Sequence, residues 1–198
     1  MTTDNTTPEF YSTREAAVKL GLSLGTVQKM VEIGALSAWK TSGGHRRVLA
    51  SSLNDYMRLR QSGLKTAPSQ ILSILVLEDD DDMRNHYQGQ VAEWGIDVDL
   101  HLQASGLNAL LHIAKHRPDI VITDLNMANL DGFDMIKSLR CDQSFAGTDI
   151  VVVTTMSKEE IAVRGTLPKD VMVFAKPVSF ATLQGYVTAK EAAKARTQ

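Results

Sequence analysis

The sequence predicts an α/β protein of two domains, in which a five-stranded, doubly wound parallel sheet follows a small domain of helices and a β-hairpin. Three observations support this prediction. Five apolar runs of strand length alternate with segments of helical period from residue 71 onward. The central runs are apolar at every position, as in parallel strands covered on both faces. A stretch of small and polar residues separates this part from the first 61 residues.

The domain boundaries follow from composition. We expect the small domain over residues 9–61, a linker over 62–70 and the sheet domain over 71–191. Charge differs between the two parts. Residues 1–62 hold eight basic and five acidic side chains, a surplus of +3, whereas residues 71–198 hold twelve and eighteen, a surplus of -6. The basic part is therefore the candidate for binding a polyanion, and the acidic part for binding cations or proteins.

Composition also predicts the compartment. A hydrophobic content of 43% and a charged content of 22% are typical of a soluble globular protein. No apolar run reaches the roughly 18 residues that span a bilayer. The first eight residues are polar and lack the pattern of a secretion signal, and the single Cys141 has no partner for an internal disulfide. We therefore expect a cytoplasmic protein without a membrane partner.

The small domain begins with two short helices. Ser12 and Glu15 have capping-box spacing at the start of a helix that closes at Gly21. A second helix is predicted from Ser23 to Ile33. Two short helices joined by a tight turn are typical of a helix-turn-helix, whose second helix enters the major groove of DNA.

The second helix supplies the candidate base contacts. Its period predicts that Thr26, Gln28 and Lys29 face outward, while Val27 and Met30 pack inward. Gln28 can bond an adenine with two hydrogen bonds, and Lys29 can bind guanine or a phosphate. We therefore expect this surface to bind double-stranded DNA.

A β-hairpin is predicted next, from Ala38 to Val48, with a Gly-Gly tip and cations on both arms. Its Gly-Gly-His-Arg-Arg run resembles the wing of MerR/excisionase-type winged helix-turn-helix domains, and the likeness covers residues 10–61. The resemblance implies contacts to phosphates or the minor groove, made by Lys40, His45, Arg46 and Arg47.

The sheet domain is predicted to contain five β-α units. The strands are expected at Ile74–Leu77, Val98–Leu102, Ile120–Thr123, Ile150–Thr154 and Val171–Ala175. The helices are expected at Met83–Trp94, Gly106–His116, Asp131–Leu139, Lys158–Arg164 and Phe180–Lys194. In such a sheet, ligands bind at the carboxyl ends of the strands, where the strand order reverses.

Polar residues lie at the carboxyl ends of four of these strands. Glu78 and Asp79 come after the first strand, Asp124 after the third, and Lys176 after the fifth, while Thr154 ends the fourth. The topology predicts that three carboxylates, a hydroxyl and an ammonium converge at one edge. Such a set suits Mg²⁺ and a phosphoryl group, with Asp124 as the nucleophile that forms an acyl phosphate.

The segment from 71 to about 190 resembles the receiver domains of bacterial response regulators, which have a flavodoxin-like fold. The likeness rests on the runs 74–80, 120–127, 151–155 and 175–177, in this order. It implies phosphorylation of Asp124, a switch hydroxyl at Thr154, and a lysine at Lys176 followed by a proline that is commonly cis. It also implies a Mg²⁺ site formed by Glu78, Asp79, Asp124 and the main-chain carbonyl of Asn126.

The chain departs from that family's pattern at two positions. Ala128 stands where the family usually has proline, and Val173 stands where many members have a switching aromatic ring. Phe174 cannot replace that ring, because successive strand residues point to opposite faces. Three histidines on predicted helices show no paired metal-ligand spacing and are expected to be separate surface side chains: His86, His112 and His116.

Together these patterns indicate a two-component response regulator rather than an enzyme acting on other substrates. A histidine kinase or phosphotransfer protein would phosphorylate Asp124 with Mg²⁺, and the added charge would change dimerisation or DNA binding. A homodimer would present two DNA-reading domains to a repeated site. Two alternatives stay open: an excisionase-like architectural protein whose receiver serves only for association, and a phosphorelay intermediate whose basic wing binds a protein or a lipid.

Overall fold

The computed structural model describes residues 9–32, 34–62, 71–127 and 131–196. The chain forms two compact units, residues 1–64 and 65–198, and each is described by itself. The predicted linker falls almost entirely outside the described residues, as does Ala128. Within the described ranges, no helix is long and apolar enough to cross a membrane.

The first unit combines three helices with a small antiparallel sheet. The strands are β1 (Phe10–Ser12), β2 (Ala38–Lys40) and β3 (Arg46–Leu49), and the helices are α1 (Thr13–Leu20), α2 (Leu24–Glu32) and α3 (Ala50–Ser62). Strand β3 lies in the centre, between β1 and β2. The core of this first unit contains side chains from every helix and from the sheet: Tyr11, Ala16, Ala17, Leu20, Val27, Met30, Leu36, Val48, Leu53 and Tyr56.

Local signals in the sequence define the ends of α1. The backbone N–H of Glu15 donates to Oγ of Ser12 at 3.2 Å, and the N–H of Ser12 donates to Oε2 of Glu15 at 2.8 Å. This confirms the capping box. At the other end, Gly21 takes the left-handed conformation at φ 65°, where a side chain is disfavoured.

The predicted β-hairpin is confirmed in strands β2 and β3. The N–H of Thr41 donates to the carbonyl of His45 at 2.9 Å, which closes the hairpin. Gly44 at the tip has a φ of 79°, a conformation that favours glycine. The Gly-Gly tip therefore forms the turn of the hairpin, as predicted.

The second unit is a doubly wound sheet, as predicted from the alternation of apolar runs. Its strands are β4 (Leu72–Leu77), β5 (Val98–Gln103), β6 (Ile120–Thr123), β7 (Asp149–Thr154) and β8 (Met172–Ala175). All neighbours pair in parallel, in the order β5-β4-β6-β7-β8. The helices are α4 (Asp81–Glu93), α5 (Gly106–His116), α6 (Gly132–Cys141), α7 (Lys158–Arg164) and α8 (Phe180–Arg196).

Each face of this sheet buries its own apolar cluster. One cluster packs alternate strand residues such as Leu75 and Val121 against α5 and α6. The other packs Ile74 and Ile122 against α4 and α8. Because side chains alternate between faces, strands buried on both sides must be apolar at every position, which explains the uninterrupted runs.

The strand order places the reversal between β4 and β6. From β4 the chain adds β5 on one side and then β6, β7 and β8 on the other. Glu78 directly follows β4 and Asp124 directly follows β6. The crevice at which such sheets bind ligands is therefore flanked by these two carboxylates.

The interpretation of the three histidines as surface side chains holds for His86 and His116, which are exposed, but is wrong for His112, which is partly buried. The rings of His112 and His116, one helical turn apart, lie 4.4 Å apart, and His101 of β5 lies 4.3 Å from His112. Nε2 of His112 is buried and has no hydrogen-bond partner among the described residues. Burial, followed by the positive charge of His101 and His116 when protonated, lowers the pKa of His112 to about 4.

This cluster predicts acid sensitivity of the fold. The folded chain keeps His112 neutral down to about pH 4, whereas the unfolded chain binds a proton near its ordinary value of 6.5. Stability is therefore complete above pH 6.5 and is lost as the pH falls toward 4. After allowing for solvent screening at a half-buried ring, we expect a loss of about 1–2 kcal/mol.

Chemical denaturation at several pH values measures this effect. His112→Gln should flatten the pH dependence between 6.5 and 4, and His86→Gln on α4 is the matched control. Asp99 and Lys115 also face the cluster, and they favour and oppose protonation of His112, respectively. Equal pH dependence in the wild type and the His112 variant would contradict the prediction.

Candidate functional site

The carboxyl edge of the sheet brings a lysine between two acidic side chains. Nζ of Lys176 lies 2.8 Å from Oε2 of Glu78 and 2.9 Å from Oδ2 of Asp124. Both carboxylates are buried, at 4% and 8% exposure. Buried carboxylates are costly without a partner, so this ammonium stabilises the pair in place. Three side chains widely separated in sequence therefore meet as predicted.

We call the group of Glu78, Asp124 and Lys176 the acidic pocket. Its charges shift the pKa values of Lys176 and of a neighbouring tyrosine. Burial disfavours charged Lys176, yet its hydrogen bonds to Glu78 and Asp124 outweigh burial and hold the pKa of Lys176 above its ordinary value. Burial raises the pKa of Tyr87 on α4 to about 12, and the negative charge of Glu78 adds to this effect. The pocket thus favours cations, which is the property that a metal and phosphate site needs.

The backbone around Asp124 is tightly packed. The N–H of Asn126 donates to Oδ1 of Asp124 at 3.0 Å, which fixes the carboxylate. Asp131 caps the start of α6 by accepting from the N–H of Phe133. Gly132 lies so close that an added Cβ would be 2.8 Å from Cα of Leu125 and 2.9 Å from the carbonyl oxygen of Asp124. Only glycine fits at that position.

Thr154 lies at the end of β7 and is 1% exposed. Its Oγ1 accepts a hydrogen bond from the N–H of Met156 at 3.3 Å, and its carbonyl accepts one from the N–H of Lys176 at 2.8 Å. The hydroxyl is therefore held at the same edge as Lys176. The Lys176-Pro177 peptide bond is cis, as the resemblance implies.

The predicted convergence of three carboxylates is only partly correct. Asp79 is exposed, and among the described residues no three His, Cys, Asp or Glu side chains are grouped to hold a metal ion. The reason is local: after β4 the chain turns outward, and Asp80 begins α4 by accepting from the N–H of Met83. Glu78 and Asp124 provide the carboxylate oxygens that Mg²⁺ prefers, so the donor chemistry of the pocket fits that ion.

Two arginines beside the pocket were missed from the sequence. Arg84 donates to the carbonyl of Glu78 at 2.6 Å and pairs with Asp81. Arg164, in the last turn of α7, donates to Oδ1 of Asn126 at 2.9 Å and to Oδ2 of Asp131 at 3.2 Å. Arg84 could have been suspected from its place one turn after Asp80. The 38-residue separation of Arg164 from Asn126 leaves no local signal.

The predicted face of α2 needs one correction. Gln28 and Lys29 are partly exposed, but Thr26 is buried at 5% exposure and does not face outward. The helical period places Thr26 one turn before buried Met30. Its hydroxyl pairs with Oγ of Ser23 at 2.9 Å, so it helps to form the start of α2. Gln28 and Lys29 remain as the candidate DNA contacts on this helix.

The wing presents its cations on two faces. Lys40 and His45 are exposed. In the backbone register of β2 and β3, Arg46 lies opposite Lys40. The guanidinium of Arg46 lies 2.7 Å from Oε1 of Glu32 on α2. Arg47 lies opposite Trp39 in the same register. Because neighbouring strand residues point to opposite faces, the two arginines lie on opposite sides of the sheet.

Val173 and Phe174 of β8 point to opposite faces of the sheet, as predicted from the alternation of strand side chains. Phe174 is partly buried and packs against the apolar cluster under α4 and α8, whereas Val173 is 43% exposed. The ring of Phe174 therefore lies on the face of the sheet opposite to Val173.

Comparisons with known proteins agree with both units. The family model of the response regulator receiver domain matches residues 74–188, and that of a helix-turn-helix domain matches residues 10–60. Chemotaxis protein CheY-3 of Vibrio cholerae is 26% identical over 113 residues, which are 57% of this chain and 86% of that protein. The uncharacterized transcriptional regulatory protein YhcZ of Bacillus subtilis is 42% identical over 57 residues, 29% of this chain and 26% of that protein.

A solved structure resembles the second unit. The receiver domain of the Francisella response regulator 1452 has 26% sequence identity and a TM-score of 0.52, covering 64% of this chain and 99% of that one. The predicted fold and family are thus confirmed. The receiver family model matches more than half of this chain. The chain therefore belongs to the response regulator receiver family, and a helix-turn-helix domain precedes its receiver domain.

Proposed function

We propose that this chain is a two-component response regulator in which phosphorylation of Asp124 controls DNA binding and transcription. The observation that carries the proposal is the buried Glu78–Lys176–Asp124 arrangement at the carboxyl edge of the sheet. We place the DNA-binding domain over residues 9–61, the linker over 62–70 and the receiver over 71–191. A basic first domain and an acidic second domain support this division of roles.

The chemistry is a phosphoryl transfer from a phosphohistidine of a kinase or phosphotransfer protein. A carboxylate oxygen of Asp124 attacks phosphorus, the P–N bond breaks, and the histidine nitrogen keeps the electron pair and takes up a proton. The N–H of Asn126 already holds one oxygen of this carboxylate. Lys176 would then transfer one contact from the carboxylate to an oxygen of the phosphoryl group.

Glu78, Asp79, Asp124 and the carbonyl of Asn126 would hold Mg²⁺, which supplies charge neutralisation to the transferring group. Asp79 directly follows Glu78 in sequence, and its carboxylate is exposed. Thr154 would donate its hydroxyl to the phosphoryl group. Its present acceptance from Met156 leaves that proton available.

The added charge would change the surface by which two copies associate, and a homodimer would present two reading domains to one repeated site. On each copy, Gln28 and Lys29 of α2 would enter the major groove. The wing residues Lys40, His45, Arg46 and Arg47 would contact the backbone or minor groove.

Treatment with acetyl phosphate and Mg²⁺ tests the proposal. We expect one phosphoryl group per chain by intact mass, together with a change in DNA affinity and in native mass. An unphosphorylated protein would contradict the proposal. A phosphorylated protein that binds no DNA would instead support the phosphorelay alternative.

The basic wing yields a separate prediction for DNA affinity. Replacing Arg46 and Arg47 together by alanine should weaken binding to random double-stranded DNA. It should also reduce the slope of log affinity against log salt concentration by about 0.9 for each lost phosphate contact. Fluorescence anisotropy at several salt concentrations measures both quantities.

Arg58→Ala is the matched control, because Arg58 lies on α3 in an exposed pair with Asp55. The single variants identify the DNA-facing side, since Arg46 and Arg47 lie on opposite faces of the sheet. Undiminished binding in the double variant would exclude the wing from the interface.

A further inference from the structure

Two residues near Asp124 are contacted by one side chain from a distant helix. Asn126 and Asp131 pair in an isolated antiparallel bridge, so these two residues lie side by side. The guanidinium of Arg164 reaches both of them at once, 2.9 Å from Oδ1 of Asn126 and 3.2 Å from Oδ2 of Asp131. We name this arrangement of Arg164, Asn126 and Asp131 the arginine clasp.

Further contacts keep Arg164 in this position. Its guanidinium also lies over the ring of Phe133, 5.6 Å from the centroid. The next residue, Gly165, is so close to Phe133 that an added Cβ would lie 3.3 Å from Cδ1 of the ring. A planar fork that bonds two acceptors and rests on an aromatic face is a property of arginine that lysine does not share.

The clasp does not serve to bury α7. None of the residues of α7 is fully buried, and Arg164 and Asp131 are 43% and 42% exposed. An exposed ion pair of this kind contributes little to the free energy of folding. Its clearest consequence is therefore local: it restricts Asn126, whose N–H bonds Asp124 and whose carbonyl belongs to the proposed metal site.

We propose that Arg164 is a positioning residue for Mg²⁺ binding, acting through the side chain of Asn126. This inference rests on the proposed function, because it assumes a metal at Asp124. Holding Oδ1 of Asn126 fixes the orientation of that residue and hence of its main-chain carbonyl. Groups that orient metal ligands contribute about tenfold or more to metal affinity.

Charge and positioning make opposite predictions for Arg164→Ala. Removing a cation near an acidic pocket should, by Coulomb attraction alone, strengthen the binding of a divalent cation. Loss of a positioning contact should weaken it. Isothermal titration of the full chain with MgCl₂, without a phosphate donor, distinguishes the two. We expect Arg164→Ala to bind Mg²⁺ about tenfold more weakly than the wild type.

Three further variants complete the experiment. Lys158→Ala removes an exposed cation from the same helix and should not weaken binding. Arg164→Lys keeps the charge but loses the fork, so its affinity should lie between those of the wild type and Arg164→Ala. In an Asn126→Ala background, which keeps the main-chain carbonyl, Arg164→Ala should have little further effect.

Each failure has its own meaning. Equal or stronger Mg²⁺ binding in Arg164→Ala would overturn the positioning role, as would a full additional loss in the Asn126→Ala background. A comparable loss in Lys158→Ala would also overturn it, since that result would indicate a general effect of α7. If the wild type itself binds no Mg²⁺, the proposed function fails and this inference fails with it.

Discussion

Asp124→Asn is expected to abolish the acyl phosphate completely while leaving the fold intact. The amide nitrogen of asparagine is no nucleophile for phosphorus, and its oxygen lacks the negative charge of the carboxylate. The same amide oxygen still accepts from the N–H of Asn126, which now bonds Oδ1 at 3.0 Å. Intact mass after treatment with acetyl phosphate and Mg²⁺ measures the loss, and thermal unfolding verifies the fold.

Asp134→Asn on α6 is the matched control, because it removes an exposed carboxylate from the same domain. This variant should be phosphorylated like the wild type. If acetyl phosphate changes the DNA affinity of Asp124→Asn as strongly as that of the wild type, phosphorylation of Asp124 does not control binding. The architectural alternative would then be the better explanation.

Gly132→Ala is expected to damage both stability and phosphorylation. The new Cβ would lie 2.8 Å from Cα of Leu125 and 2.9 Å from the carbonyl of Asp124, and both are backbone atoms that cannot rotate away. Overpacking of this kind costs about 1–3 kcal/mol. Because the displaced atoms belong to Asp124 and its neighbour Leu125, phosphorylation should slow as well. Urea denaturation and the rate of acyl phosphate formation measure the two effects.

Gly89→Ala is a control of opposite sign. Gly89 lies within α4, and among the described residues no side chain or other element comes within 4 Å of an added Cβ, apart from its chain neighbours and the helix's own backbone. Alanine is favoured over glycine inside a helix by roughly 0.5–1 kcal/mol, so this variant should be more stable than the wild type. A Gly132→Ala protein as stable as the wild type would show that the backbone at Asp124 and Leu125 adapts without cost.

The sheet and its helices could be predicted because their signals are local. Strands buried on both faces must be apolar throughout, and the bounds of β6, α5 and α7 were predicted to the residue. The meeting of Glu78, Asp124 and Lys176 followed from topology, since carboxyl ends of parallel strands share an edge. These inferences require no knowledge of individual side-chain conformations.

The errors arose where side-chain direction or distant packing decides. Thr26 was predicted to face outward, but its hydroxyl bonds to Ser23, and this capping contact holds it inside. Asp79 was expected beside Asp124 as a metal ligand; the chain turns into α4 immediately afterward and leaves its side chain exposed, so that role stays a prediction. His112 meets His101 only because β5 and α5 pack together, which the spacing of residues along the chain does not reveal.

Helix α7 has no fully buried residue, and this affects how easily it unfolds locally from the receiver domain. A helix without a fully buried residue exposes little apolar surface when it detaches, so its backbone amides should exchange with deuterium well before those of β6. Such a segment sits at the low end of the domain's range of opening energies. We therefore expect a charge added nearby to change the population of open states of α7 more than that of the doubly covered strands.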